Sequence, residues 1–397
     1  MLTENTIAAH PDIPDDRDIL VCIFQRGAAD GLNALVPYFD SDYYAHRTSI
    51  AVPAPDPLDP LNLNNGIPLT NYFDTVPNGY ALHPALQLME QVYLDGNLAL
   101  VHATGVPHQI RSHFSAQNLI ERGVIEKTGP STGWLGRHLA FSSPATGSAF
   151  RAISISGNVP VALGGAIEPL AIDNLNDFGF DQGILDSGYP QVLTDLFRNP
   201  IPFSGPAEAA LAAMDELQAA NIPPVNQPSD AGYPNTVLGG KLLQAAQLIK
   251  SNIPVEVVCI DSDGWDHHQN LPTYIGPSLT ELAGALRAFY DDMGPTTGMQ
   301  RITVLVYTEF GRRIKQNGSQ GTDHGTASLA YLMGGGVNGG QVISDWPGLD
   351  IGQNEDLQIT TDLRTVITEM LDKRLGGTDV GIVFPGFTVP TYVNAFI

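Results

Sequence analysis

Five short runs of this chain are almost wholly apolar: ILVCIF at 19–24, LALVH at 98–102, PVEVVCI at 254–260, ITVLVY at 302–307 and SLAYLM at 328–333. A strand with one wet face alternates apolar and polar side chains. A run without that alternation needs apolar packing on both faces. Between the runs lie segments of helical spacing at 206–220, 236–251, 278–293 and 362–375. The last stops at Gly376 and Gly377, as a C-cap would. AISIS at 152–156 and VAL at 161–163 read as shorter strands. Buried strands alternating with helices predict an α/β fold, a doubly wound and mostly parallel sheet sandwiched by helices. Ligands of such sheets collect beyond the carboxyl ends of the strands.

The domain plan follows. Residues 1–18 form a polar N-terminal arm, and 19–397 a single α/β domain. Within it, the Pro-, Asp- and Asn-rich stretch 37–80 reads as a surface excursion, and the irregular stretch 165–235 as an insertion. The arm has neither a basic start nor an apolar core, so it does not read as a signal peptide. No stretch is long and apolar enough to span a membrane.

Charge narrows the partners. The chain carries 42 Asp and Glu against 19 Lys and Arg, a net charge of −23. Nucleic acid and anionic membranes need cationic neutralisation and are disfavoured. An anionic substrate then requires a local metal or an arginine cluster. The two cysteines, Cys22 and Cys259, lie far apart in the sequence inside apolar runs. That excludes a cysteine zinc site and a disulfide framework, and reads as two buried small residues.

The polar residues gather at the strand ends. DSDGWDHHQN (261–270) follows the third run and offers Asp266 and His268, two apart, and Asp263 and His267, four apart. Carboxylate and imidazole together suit a divalent ion. TEFGRR places Glu309 at a strand end, with Arg312 and Arg313 after it, and GTDHG sets Asp323 and His324 between glycines that permit close approach to a ligand. RSHFSAQ puts Ser112 and His113 at a helix start, where amides and the helix dipole favour an anion. RGAAD supplies Arg26 and Asp30 in a Gly-containing turn. Taken singly, each cluster also has a plain reading as a solvated loop, a helix cap or a salt-bridged strand end. RGAADGLN does not match GxGxxG, so it carries no dinucleotide fingerprint.

In combination, RGAADGLNALVP (26–37), YALHPAL (80–86), VHATGVP with IRSHFSAQ (101–117), GWLGR (133–137), GWDHHQN (264–270), TEFGRR (308–313) and GTDHGTAS with GGGVNGG (321–340) resemble a bacterial family. It is the sulfatase-like "domain of unknown function" family fifteen-oh-one, related to the alkaline phosphatase superfamily. The resemblance implies an alkaline-phosphatase-like fold and one or two divalent ions, Zn, Mn, Ca or Fe. It carries the ligand roles onto Asp266, His268, Glu309, Asp323 and His324, with Asp30 as a further ligand, and the nucleophile onto Ser112, with Ser115 in reserve. His113, Arg26, Arg111 and Arg312 complete the expected catalytic set, the arginines holding non-bridging oxygens. Arg26 stands where the superfamily's first metal-binding Asp is expected, and the sulfatase nucleophile motif is absent.

The expected activity is hydrolysis of a phosphate or sulfate ester, such as a carbohydrate sulfate, by Ser112 or a metal-activated hydroxide. Two other readings stay open: a non-catalytic relative serving as a structural, surface or secretion-linked component, and a single-metal redox protein. The resemblance also implies export to the periplasm or beyond, although the chain shows no signal peptide and a cytoplasmic location stays open. It implies a heteromeric protein partner or a homo-oligomer.

Overall fold

The computed structural model describes residues 18–59, 62, 64–69, 79–108, 110–142, 148–165, 168–178, 204–220, 232–251, 253–350 and 355–397. Nearly all of the predicted arm, and parts of the predicted excursion and insertion, lie outside the described residues. The first half contains β1 (Ile19–Gln25), α1 (Gly31–Ala34), β2 (Leu35–Pro37), α2 (Ser41–His46), β3 (Ile67–Pro68), β4 (Tyr80–Leu82), α3 (Gln87–Leu94), β5 (Leu98–Gly105), α4 (His113–Arg122), α5 (Trp134–Phe141), β6 (Ala152–Ser154) and β7 (Leu170–Ala171). The second contains α6 (Ser204–Ala220), α7 (Val237–Lys250), β8 (Val257–Ser262), α8 (Leu271–Met293), β9 (Ile302–Thr308), β10 (Arg312–Gln316), β11 (Thr322–His324), β12 (Ser328–Met333), β13 (Gln341–Ile343), β14 (Thr361–Asp362), α9 (Leu363–Arg374) and α10 (Val380–Val383).

Nine strands make one sheet in the order β13-β5-β12-β9-β1-β8-β6-β7, with β14 beside β5. Within it β1 lies parallel to both β8 and β9, and β6 is parallel to β8 and β7. Among the described strands of this sheet only β12 is reversed, antiparallel to β5 and β9. The apolar runs are buried on both sides, as their lack of alternation requires. From β1, Ile19, Val21 and Ile23 join one core with Met89, Leu242 and Phe289 of α3, α7 and α8. Leu20, Cys22 and Phe24 join the opposite core with Leu135 and Met370 of α5 and α9. Each fully buried aliphatic side chain contributes about 1.5–3 kcal/mol. The result is the mostly parallel, helix-sandwiched α/β sheet that the runs predict.

Helix ends follow their local chemistry. Thr236 caps α7 by accepting from the Gly239 N–H, Asp362 caps α9 by accepting from Arg364, and Gly123 closes α4 in the left-handed region. Three expectations change. VAL at 161–163 is a 3-10 turn between Pro160 and Gly164, too short to pair as a strand. Helix α8 begins at Leu271, well before the expected 278, and carries Pro277 inside it. Leu271 and Ile275 are buried in the core, and that packing outweighs the proline's missing donor. The described part of the 37–80 stretch is not all surface: it contributes to a small antiparallel sheet of β2, β3 and β4, and Tyr43 and Val52 are buried. Cys22 and Cys259 are both buried and free, and sit opposite one another in the β1–β8 register. Among the described residues no helix is long and apolar enough to cross a membrane.

The topology gathers the polar clusters. The carboxyl ends of β1, β5, β8 and β9 share one edge of the sheet. Because β12 is reversed, its first residue lies at that same edge. The β10–β11 hairpin between β9 and β12 therefore stays there too, pairing Arg312 with His324 across its strands.

Candidate metal centre

Three imidazoles converge on one carboxylate. Asp266 follows β8, His268 lies two residues on, His324 ends β11 and His113 opens α4. His268 Nε2 and His324 Nε2 lie 3.1 and 3.2 Å from Asp266 Oδ1 and 2.9 Å from each other. His113 Nε2 lies 3.4 Å from Asp266 Oδ2. His113, Asp266 and His324 each offer a ligating atom within 4.8 Å of the others.

The far nitrogens set the tautomers. His324 Nδ1 is 2.8 Å from the Arg111 carbonyl, which can only accept, so Nδ1 carries the proton. His113 Nδ1 donates to Glu309 Oε1 at 2.8 Å. His268 Nδ1 faces Asp323 Oδ1 at 3.4 Å, a longer and weaker contact. In its neutral form each ring therefore turns a bare Nε2 toward Asp266. His113 Nε2 is buried and has no hydrogen-bond partner. Bare nitrogens this close to each other and to a carboxylate need positive charge among them, supplied by a proton or a metal ion. An outer acceptor on Nδ1 with a free Nε2 is how histidines are prepared as metal ligands. The residues present fit a divalent ion.

Asp266 is held in place from below. Arg312 is 2% exposed and donates to Asp266 and to the carbonyls of Gly27, Ala28, Thr322 and Trp265. Burial pushes the Asp266 carboxyl up, but bonding to and the charge of Arg312, with His324 and His268, outweigh it and hold it at about 2. Gly27 adopts a φ of +120°, and a Cβ there would lie 2.6 Å from the Asp266 nitrogen. A Cβ at Gly321 would meet the His268 carbonyl carbon at 2.2 Å. These glycines serve contacts of the chain with itself, not the approach of a ligand.

Glu309 sits differently. It is 1% exposed and takes the Gly27 and Ala28 N–H groups at 2.9 and 3.1 Å, Gln117 at 2.9 Å, the Thr308 hydroxyl at 2.8 Å and His113. Ala28 adopts a left-handed φ of 63°, which turns successive amides toward it. Burial pushes the Glu309 carboxyl up, yet His113, Gln117 and the other donors bring it down to about 2. Hydrogen bonding to Glu309 in turn holds His113 above the ordinary imidazole value, against burial. His324 is pushed down by burial, against the Arg111 carbonyl and Asp266.

The remaining expected residues scatter around this core. Asp30 is buried and receives Arg47, Thr322 and the Asn33 N–H. Arg26 bridges Glu121 at 3.0 Å and Asp261 at 2.8 Å. Arg111 pairs with Asp356 and donates to the His324 carbonyl. Asp323 accepts from Asn317, which pulls its carboxyl down. Ser112 is the exposed N-cap residue of α4, and its side chain makes no cap bond. The structure thus brings Asp266, His268, His324 and His113 together, with Glu309, Arg312 and Asp323 around them. It leaves Asp30 with Arg47 and Arg26 with its two acids. The sequence reading placed His113 among the catalytic groups and did not see it as a third imidazole of the cluster. It missed Gln117 and Arg47 altogether. The four-residue spacing of His113 and Gln117 on one helix face was the available signal for the first.

A family model described as "Protein of unknown function (DUF1501)" matches residues 199–379. That span includes Asp266, His268, Glu309, Arg312, Asp323 and His324. No curated protein matches the chain. Two solved structures are similar at 10% identity. The C-terminal periplasmic domain of EcEptC from Escherichia coli superposes with a TM-score of 0.34, covering 95% of this chain and 89% of that one. PsFucS1 sulfatase from Pseudoalteromonas sp. does so with a TM-score of 0.37, covering 96% and 73%. At these scores neither likeness carries an argument.

Proposed function

We propose that this chain is a metal-dependent hydrolase of anionic phosphate or sulfate esters, its ion held by His113, Asp266, His268 and His324. The observation that supports this most directly is the tautomer pattern. Three Nδ1 atoms face acceptors, and three Nε2 atoms face one carboxylate. An ion bound there supplies Lewis acidity toward a developing oxyanion. The residues around it do the rest. Glu309 orients His113, Arg111 orients His324 through its carbonyl, and Arg312 keeps Asp266 ionised and aimed. Ser112 leaves the first-turn amides of α4 without a side-chain cap, so the positive end of that helix is open to an oxyanion beside the histidines. Ser112 is exposed there and is the proposed nucleophile, with Ser115 in reserve.

In this proposal Glu309 and Asp30 position other groups and are not ligands, because protein donors already occupy their oxygens. One observation favours a second reading, binding without turnover. Each arginine expected to grip the substrate is already engaged: Arg26 by two acids, Arg111 by Asp356, and Arg312 by carbonyls and Asp266. The test is turnover of aryl phosphate and aryl sulfate esters by the full chain after loading with Zn²⁺, Mn²⁺, Fe²⁺ or Ca²⁺, beside His324→Ala. Metal-dependent hydrolysis that His324→Ala abolishes supports the hydrolase. A loaded protein inert toward both ester classes sinks it in favour of binding alone.

A further inference from the structure

We infer that the centre takes a single ion of the imidazole-preferring transition series, and not the ion pair that the family resemblance allows. This rests on the metal site of the reading above but not on its turnover. Free lone pairs limit how many ions the site can hold. A second ion sits about 3.5–4 Å from the first in two-metal sites and needs carboxylates of its own. Most of the carboxylates at this edge of the sheet are already used, and Asp263 is exposed and belongs to no group of three ligating side chains. Glu309 accepts from five donors. Asp30 is filled by Arg47, Thr322 and the Asn33 N–H. Asp261 and Glu121 pair with Arg26, and Asp356 pairs with Arg111. Asp323 faces His268 Nδ1 and accepts from Asn317. Among the described residues, no second group of three ligating side chains lies together.

The donor set also chooses the ion. What remains is three imidazole nitrogens and one carboxylate. Mg²⁺ and Ca²⁺ prefer six or more oxygens, whereas imidazole suits Zn²⁺, Fe²⁺, Co²⁺, Ni²⁺ and Cu²⁺. Glu309 acts here as a positioning residue. It fixes the His113 tautomer, and with Gly27 and Ala28 it ties that imidazole to the loop after β1.

The experiment is equilibrium dialysis of the full chain, prepared without chelator or nickel, against Zn²⁺, Co²⁺, Mg²⁺ and Ca²⁺ in turn, with elemental analysis of the bound metal. One equivalent of Zn²⁺ or Co²⁺ per chain is expected, bound at least 100-fold more tightly than Mg²⁺ or Ca²⁺. His324→Ala and His268→Ala should each lose at least 100-fold in affinity. Glu309→Gln should lose about 10–100-fold with the stoichiometry still one, as outer-shell partners of ligating histidines do. Circular dichroism of each variant checks that it has folded, and the half-exposed His268 provides the variant least able to disturb the core. Two equivalents, comparable binding of Ca²⁺ or Mg²⁺, or unchanged affinity in the folded His268→Ala protein overturns the inference. No metal binding overturns it together with the metal-dependent reading. One equivalent of Zn²⁺ without ester turnover supports it and sinks only the hydrolase.

Discussion

Glu309 and Asp266 face the two nitrogens of one imidazole, that of His113, and yet belong to different regions of the molecule. The floor is Glu309, Asp30, Arg47 and the loop after β1. Its acids are buried, and donors consume their oxygens. The rim is Asp266, His268, His324 and Asp323, where Asp266 is 46% exposed and shares its carboxylate among three imidazoles. The same functional group is a strut in one place and a ligand candidate in the other. What separates them is how many lone pairs remain after the backbone and guanidinium groups have taken theirs.

The largest effect expected from this contrast is at Glu309. Glu309→Ala leaves two buried N–H groups unpaired and frees His113, and should destabilise the fold by about 3–5 kcal/mol in denaturant unfolding. Asp266→Ala should cost only about 1 kcal/mol in metal-free protein, because solvent reaches the half-exposed carboxylate and can take its place beside Arg312, while abolishing metal binding. Equal destabilisation by the two would break the distinction between floor and rim.

Asp30→Asn tests the floor a second time. Arg47 is fully buried beside Asp30, and weakening that pair should cost about 3 kcal/mol without changing the metal stoichiometry. A stable Asp30→Asn protein that no longer binds metal would instead make Asp30 part of the centre.

Acid separates the regions as well. Glu309 is held at about 2 in the fold, below its ordinary 4.5. Its contribution is therefore present above about pH 4.5 and lost as the pH falls toward 2. At about 1.4 kcal/mol per unit this is on the order of 3 kcal/mol. Asp266 is depressed similarly, but solvent screens its half-exposed carboxylate and its share is small. Acid unfolding followed by fluorescence should lose much of this limb in Glu309→Gln and little of it in Asp266→Asn.

The smallest effect is expected at Asp323, whose side chain is about half exposed and whose contact with His268 is long. Asp323→Asn should lower metal affinity only a few-fold and change stability by less than about 0.5 kcal/mol. A loss as large as that of His268→Ala would move Asp323 from the edge of the centre into it.

The motifs at 264–270 and 321–325 were legible because Asp, His and Gly there lie within a few residues of each other, the first just after an apolar run and the second just before one. His113 carried the same chemistry, but its helix start reads equally well as a cap. Asp30 and Glu309 looked like ligands because a carboxylate at a strand end is all that a sequence displays. Arg47, which claims Asp30, is 17 residues away, and the Gly27 and Ala28 amides, which claim Glu309, are more than 280 away.

By itself the sequence determined the layers of this protein. Runs without alternation must be buried on both faces, and helices of the right spacing must cover them. It also determined which residues could perform chemistry at the strand ends. The tertiary structure decided which of those residues are left with lone pairs to offer. That outcome depends on the reversal of β12, which keeps the β10–β11 hairpin at the same edge as the carboxyl ends of β1, β5, β8 and β9, and on the close approach at Gly27 that presses the first loop against Asp266. Periodicity reports local burial, whereas the use of a lone pair is settled by partners that the chain brings from far away.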